Sequence, residues 1–112
     1  MKINIQSLSF HASDKLTDFT LDKVNKLAQY TDRIIQVEVV LKVDKSETRD
    51  NKFCEVRLSI PGNNLFASKQ QSTFEEAVLK TVEALKQQLL SWKEKKQHRS
   101  HSHTGDLVQS DE

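Results

Sequence analysis

The 112-residue sequence predicts an α+β domain of order β-α-β-β-β-α, a four-stranded sheet with two helices packed on one face, in the manner of a double-stranded-RNA-binding domain. Three observations predict it. Two stretches repeat apolar residues at intervals of three and four, as a helix burying one side requires. Others alternate apolar and polar residues with the period of a half-buried strand. The only proline, in Pro61-Gly62-Asn63-Asn64, divides one strand-like run from the next as a hairpin turn does.

The first strand is read at Lys2–Leu8, where Ile3 and Ile5 alternate with Asn4 and Gln6. Ser13 is a candidate N-cap for a helix over 14–30, with Leu16, Phe19, Leu21, Val24, Leu27 and Ala28 at helical spacing. Ile35, Val37, Val39, Leu41 and Val43 predict a second strand with those residues toward the core. The segment 44–51 has no apolar residue and reads as a mobile loop. A third strand follows at Lys52–Ile60, with Cys54, Val56, Leu58 and Ile60 inward. A short fourth strand over 65–68 is expected at the sheet edge.

The last helix, predicted over Thr73–Lys96, organises the rest. Its stripe is Phe74, Ala77, Val78, Val82, Leu85, Leu89 and Trp92, and Thr73 with Glu76 forms a T-x-x-E capping box. Glu75 and Glu76 at its start, and lysines at its end, suit the helix dipole. Residues 1–96 form one domain on this reading. From Gln97 onward the chain is rich in Ser, His and acids, and it predicts a disordered tail over 97–112.

Net charge is only +1, with 17 basic and 16 acidic residues, so bulk charge does not announce a nucleic-acid binder. The position of the charge is more informative. Between Lys80 and Arg99 the local charge is +4, while Asp106, Asp111 and Glu112 place −3 at the end of the tail. A single exposed lysine is ordinarily a solvated side chain. The signal is the clustering of Lys80, Lys86, Lys93, Lys95 and Lys96 on the last helix, with Lys23 and Lys26 on the first. Side by side, the two helices offer a basic surface that reads phosphates by shape.

The sequence offers little catalytic chemistry. G-x-S-x-G, P-loop and G-x-G-x-x-G motifs are absent, and two glycines supply no phosphate cradle. His11 reads as a loop histidine, and Cys54 as a small, inert core residue. One cysteine allows neither an intramolecular disulfide nor a cysteine zinc site. His98, His101 and His103 can hold a transition metal only weakly in a peptide without supporting hydrogen bonds. No enzyme activity, cofactor, metal or small-molecule substrate is expected. The start resembles no secretory signal and no stretch is long enough to span a bilayer, so a soluble cytoplasmic protein without a membrane partner is expected.

The run Y-x-D-R-I-x-Q-V-x-V-V-L-K-V-x-K, here Tyr30 to Lys45, resembles the short ribosome hibernation-promoting factors and ribosome-associated translation inhibitors. Lys23, Lys26 and Leu27, Ala67-Ser68, Leu85, Gln88-Leu89 and Lys93-x-Lys95 extend the likeness over roughly residues 1 to 97. The resemblance implies a factor that binds the small ribosomal subunit in stationary phase or under stress, in the channel of messenger RNA and the A- and P-site transfer RNAs. Blocked translation and paired, inactive ribosomes follow, the latter with a second dimerising factor. Lys23, Lys26, Arg33, Lys93 and Lys95 are the implied ribosomal-RNA contacts. The chain departs from the family at Thr73–Leu79, where D-M-Y-A-A-I-D is common, and at Gln87-Gln88-Leu89, where R-Q-L is common. Lys80 and Lys86 can make up the missing cation. The competing reading is a protein-interaction module that regulates a transcription factor through the sheet edge or the acidic tail.

Overall fold

The computed structural model describes the side chains of residues 1–44 and 49–95 and the backbone on to residue 101. The elements are β1 (Lys2–Leu8), α1 (Asp14–Asn25), a 3₁₀ turn (Lys26–Gln29), β2 (Gln36–Val43), β3 (Lys52–Ile60), β4 (Asn63–Gln71) and α2 (Phe74–His101). The predicted order of elements is the observed one. The sheet runs β1-β2-β3-β4, with β1 parallel to β2 and the other pairs antiparallel.

The register explains why one face is dry. Ile3 lies beside Val37, Val37 beside Leu58 and Leu58 beside Leu65; Ile5, Val39, Val56 and Ala67 form the next row. Because side chains alternate along a strand, these rows all point to one side. There they join Leu16, Val24 and Leu27 from the first helical segment and Phe74, Ala77, Val78, Leu85 and Leu89 from α2 in a single core. Both helices therefore cover the same face, as predicted.

The caps follow sequence chemistry. Ser13 Oγ accepts from the Leu16 N–H at 3.1 Å, and Thr73 Oγ1 accepts from the Glu76 N–H at 3.1 Å. Gly62 takes φ 74° after Pro61, whose ring fixes φ near about −65°, the pair of angles a type II turn needs. Two threonines are buried outright. Thr20 Oγ1 donates to the Leu16 carbonyl at 2.8 Å and Thr81 Oγ1 to the Ala77 carbonyl at 2.7 Å, so neither hydroxyl is buried without a partner.

Four boundaries and one orientation differ from the sequence reading. The first helix tightens into the 3₁₀ turn at Lys26. β2 starts at Gln36, so Ile34 is buried while Ile35 turns outward at 59% exposure. Ile35 still holds both neighbours through its backbone, donating to Ser59 at 2.8 Å and accepting from Lys2 at 3.3 Å. β4 has nine residues because the full length of β3 templates it, despite its polar ends. α2 continues past Lys96 to His101. Loop residues 45–48, the Lys96 side chain, His103 and the remaining tail residues of 102–112 lie outside the described residues, as do the side chains of His98 and His101.

Candidate nucleic-acid interface

Topology aligns the two helices. α1 returns against β1 to allow β2 to run parallel to it, and α2 returns against β4, which itself runs with β2. Both helices thus point the same way and end at the same end of the molecule. Phe10, just after β1, stacks on Phe74 at the head of α2, with ring centroids 4.5 Å apart. Toward the other end, Lys86 Nζ lies 5.8 Å from the centre of the Tyr30 ring, which follows the 3₁₀ turn. These two contacts fix α2 alongside the first helical segment.

The predicted cations do not share one surface. Lys23 and Lys26 both reach Asp22, at 3.6 and 3.9 Å, and Lys23 also lies over the Phe19 ring at 5.4 Å. Lys86 reaches across to the first helical segment at Tyr30. Lys93 follows Lys86 by two helical turns and shares its flank. Lys95 lies elsewhere: it follows Gln88 by two turns, and Gln88 Nε2 donates to the Phe66 carbonyl on β4 at 2.8 Å. Lys80 is exposed on the outer side of α2. Arg33 is exposed in the loop before β2, where its N–H donates to Thr31 Oγ1 at 3.2 Å.

The basic surface is therefore narrower than a count of lysines suggests. Lys23 and Lys26 share Asp22 on the first helical segment, and Lys86 and Lys93 lie on the flank of α2 that meets Tyr30. Among the described residues neither Lys86 nor Lys93 makes an ion pair, so their charge is available to an anion. Both helix C-termini face the same end, and the carbonyl ends of their dipoles favour cations there. α2 spans 28 residues, about 42 Å, and among its described side chains Leu89 is the last that is fully buried. Lys93 and Lys95 follow Leu89 along the helix, and the longest dimension of the molecule is 52 Å.

On the open face of the sheet Gln36, Glu38, Val40 and Lys42 of β2 lie beside Ser59, Arg57, Glu55 and Phe53 of β3. β4 adds Phe66, 45% exposed, beside Arg57. The alternation that buries Leu65 and Ala67 turns Phe66 to the open face.

Cys54 is fully buried, and burial pushes its thiol up from 9.0 to about 11, against a smaller opposing hydrogen bond from Thr81 and a further push from the Glu55 carboxylate. The sign of the resulting pH dependence is definite. The unfolded thiol ionises near 9.0 while the folded one keeps its proton, so stability is fully present below pH 9 and falls as pH rises toward 11. The loss reaches an order of about 2 kcal/mol. Urea melts between pH 8 and about pH 11 should show a steeper fall than the same melts of Cys54→Ala; parallel curves would remove this thiol from the balance.

Among the described residues no group of three or more His, Cys, Asp or Glu side chains is placed to hold a metal. No described helix is long and apolar enough to cross a membrane.

Comparison with known proteins agrees with this architecture. The curated ribosome hibernation promoting factor of Escherichia coli is 36% identical over 100 residues, covering 88% of this chain and all of the relative. That of Pseudomonas putida is 29% identical over 97 residues, covering 87% and 91%. Among solved structures, a ribosomal subunit interface protein from Coxiella burnetii superposes with TM-score 0.75 at 19% identity, over 83% of this chain and 98% of that one. The N-terminal domain of Thermus thermophilus Protein Y gives TM-score 0.72, also at 19% identity, over 82% and 99%. At that identity the superpositions speak for the fold alone. The family model described as sigma 54 modulation protein / S30EA ribosomal protein matches residues 3–97, and the chain belongs to that family, with the ribosome hibernation promoting factors among its relatives.

Proposed function

We propose that this protein is a ribosome hibernation factor that silences translation by occupancy. It binds the small ribosomal subunit in the channel used by messenger RNA and the A- and P-site transfer RNAs, and with a second factor it promotes inactive ribosome dimers. The observation that carries this reading is the cluster of Lys23, Lys26, Lys86 and Lys93 along two parallel helices, in a chain related to hibernation promoting factors. Each lysine that neutralises a phosphate releases condensed counterions, so binding is strong at low salt and falls steeply as salt rises. Arg33, Lys80 and Lys95 extend the same field from other sides of the body, and Lys96 adds a further positive charge to the sequence of α2. Inhibition needs no reaction: a folded domain in the decoding channel excludes the RNAs that belong there.

Sucrose-gradient sedimentation of starved-cell lysate tests both parts. The protein should travel with small subunits and whole ribosomes, and a dimer peak should shrink when it is deleted. Sedimentation only at the top of the gradient would refute the reading. The words sigma 54 modulation in the family's description favour one alternative, a protein-interaction module acting on a transcription factor. Capture of a protein partner that survives nuclease and high salt, with ribosome binding absent, would decide for it.

A further inference from the structure

We propose that the open face of the sheet is a second RNA-contact surface, one that stacks unpaired bases. The inference rests on the ribosomal-RNA reading above and names what the opposite side of the body would touch.

Two aromatic rings lie on this face, and each carries a cation. Arg57 sits 5.6 Å from the centre of the Phe66 ring, and Lys42 Nζ sits 5.3 Å from that of Phe53. Phe66 is 45% exposed in a strand whose neighbours Leu65 and Ala67 are buried, so it contributes little to the core. A ring of this kind presents a π-face to a base, and a guanidinium beside it stacks on the same base or meets its phosphate. The register aligns Phe66, Arg57, Glu38 and Asn4 in one row across all four strands. The row ends at a shallow hollow of about 350 Å³ over β1 and β2, lined by Asn4, Gln6, Glu38 and Val40 among others. Amide and carboxylate groups at that spot suit the hydrogen-bonding edge of a base.

Charge argues for bases over phosphates. Lys2, Lys42 and Arg57 face Glu38 and Glu55 on the same surface, so the net field is weak and a duplex backbone gains little there. Phe53 and Phe66 stand four residues apart along the strands and one strand over, about 14 Å, too far for two stacked neighbours. They fit separate bases of a splayed single strand, as in loops and junctions of folded RNA. The two faces then differ in kind: the helices meet phosphates, and the sheet meets bases.

The test uses the full chain and fluorescein-labelled RNA of about ten nucleotides, single-stranded or as a duplex, followed by anisotropy at two salt concentrations. Phe66→Ala should weaken single-strand binding at least about fivefold, leave duplex binding unchanged and leave the melting curve near wild type, while Phe66→Tyr retains binding. The single-strand affinity should fall with salt less steeply than the duplex affinity. Wild-type protein that ignores the single strand, or Phe66→Ala that binds it as wild type does, would overturn the proposal. A nuclease-resistant protein partner lost on Phe66→Ala would also overturn it, in favour of a protein-docking face. Failure of the helix-face reading shows separately, as duplex and subunit binding unmoved by Lys86→Glu with Lys93→Glu while the Phe66 effect stands.

Discussion

Exchanging Lys86 and Lys93 together for glutamate is expected to weaken binding to the small ribosomal subunit by about tenfold to a hundredfold near physiological salt. Both lie on the flank of α2 that borders Tyr30, and neither makes an ion pair among the described residues. Each lost phosphate contact removes about one unit from the slope of log affinity against log salt, so the double variant should lose about two. The slope matters more than the affinity itself. A misfolded variant loses affinity at every salt concentration, whereas a folded one that has lost two contacts keeps a shallower line. Lys80→Glu, on the outer side of α2, provides the comparison and should have a smaller effect. Equal losses at the two places would mean that the field acts as a diffuse charge and that the helix pair forms no defined site.

The largest expected effect on stability is Leu85→Ala. Leu85 is fully buried in α2 next to Lys86, on the stripe shared by Phe74, Val78 and Leu89. Truncation removes buried methyl groups and leaves a cavity that a close-packed core closes only in part, a loss of about 2–5 kcal/mol. Small domains commonly have about 5–15 kcal/mol in total, so a substantial fraction of the protein would unfold under mild denaturant. Urea melts should show a lower midpoint at an unchanged slope. An effect below about 1 kcal/mol would mean that α2 is held mainly by its caps and ends. Because α2 also carries Lys86 and Lys93, ribosome binding should fall with the folded fraction and keep its salt slope, which distinguishes this variant from the charge reversal.

Most of the fold could be read from periodicity, because the strongly periodic segments are the ones that bury a whole face. β3 and the apolar stripe of α2 are read residue for residue, and both predicted caps, Ser13 and Thr73, accept the expected backbone bonds. The differences share a cause: tertiary pairing decides where local composition points the other way. Asn63, Asn64, Gln70 and Gln71 have poor strand propensity, yet β3 supplies partners along its full length and the ladder extends over them. Ile34 and Ile35 are adjacent, so alternation counted back from Val37 selects the wrong one once the chain bends ahead of the strand. In the candidate interface, the residue types were readable but their grouping was not. Lys80, Lys86 and Lys95 look equivalent in the sequence, and only helix rotation and the contacts of Tyr30 and Gln88 sort them onto different sides.

The bond from Gln88 to the Phe66 carbonyl gives the sheet an end. β4 is an outer strand, and a row of unsatisfied backbone groups there would invite a strand from another molecule. An amide borrowed from the neighbouring helix occupies one of those carbonyls, and an incoming strand must first evict it. The arrangement weighs against edge-to-edge pairing of copies through β4.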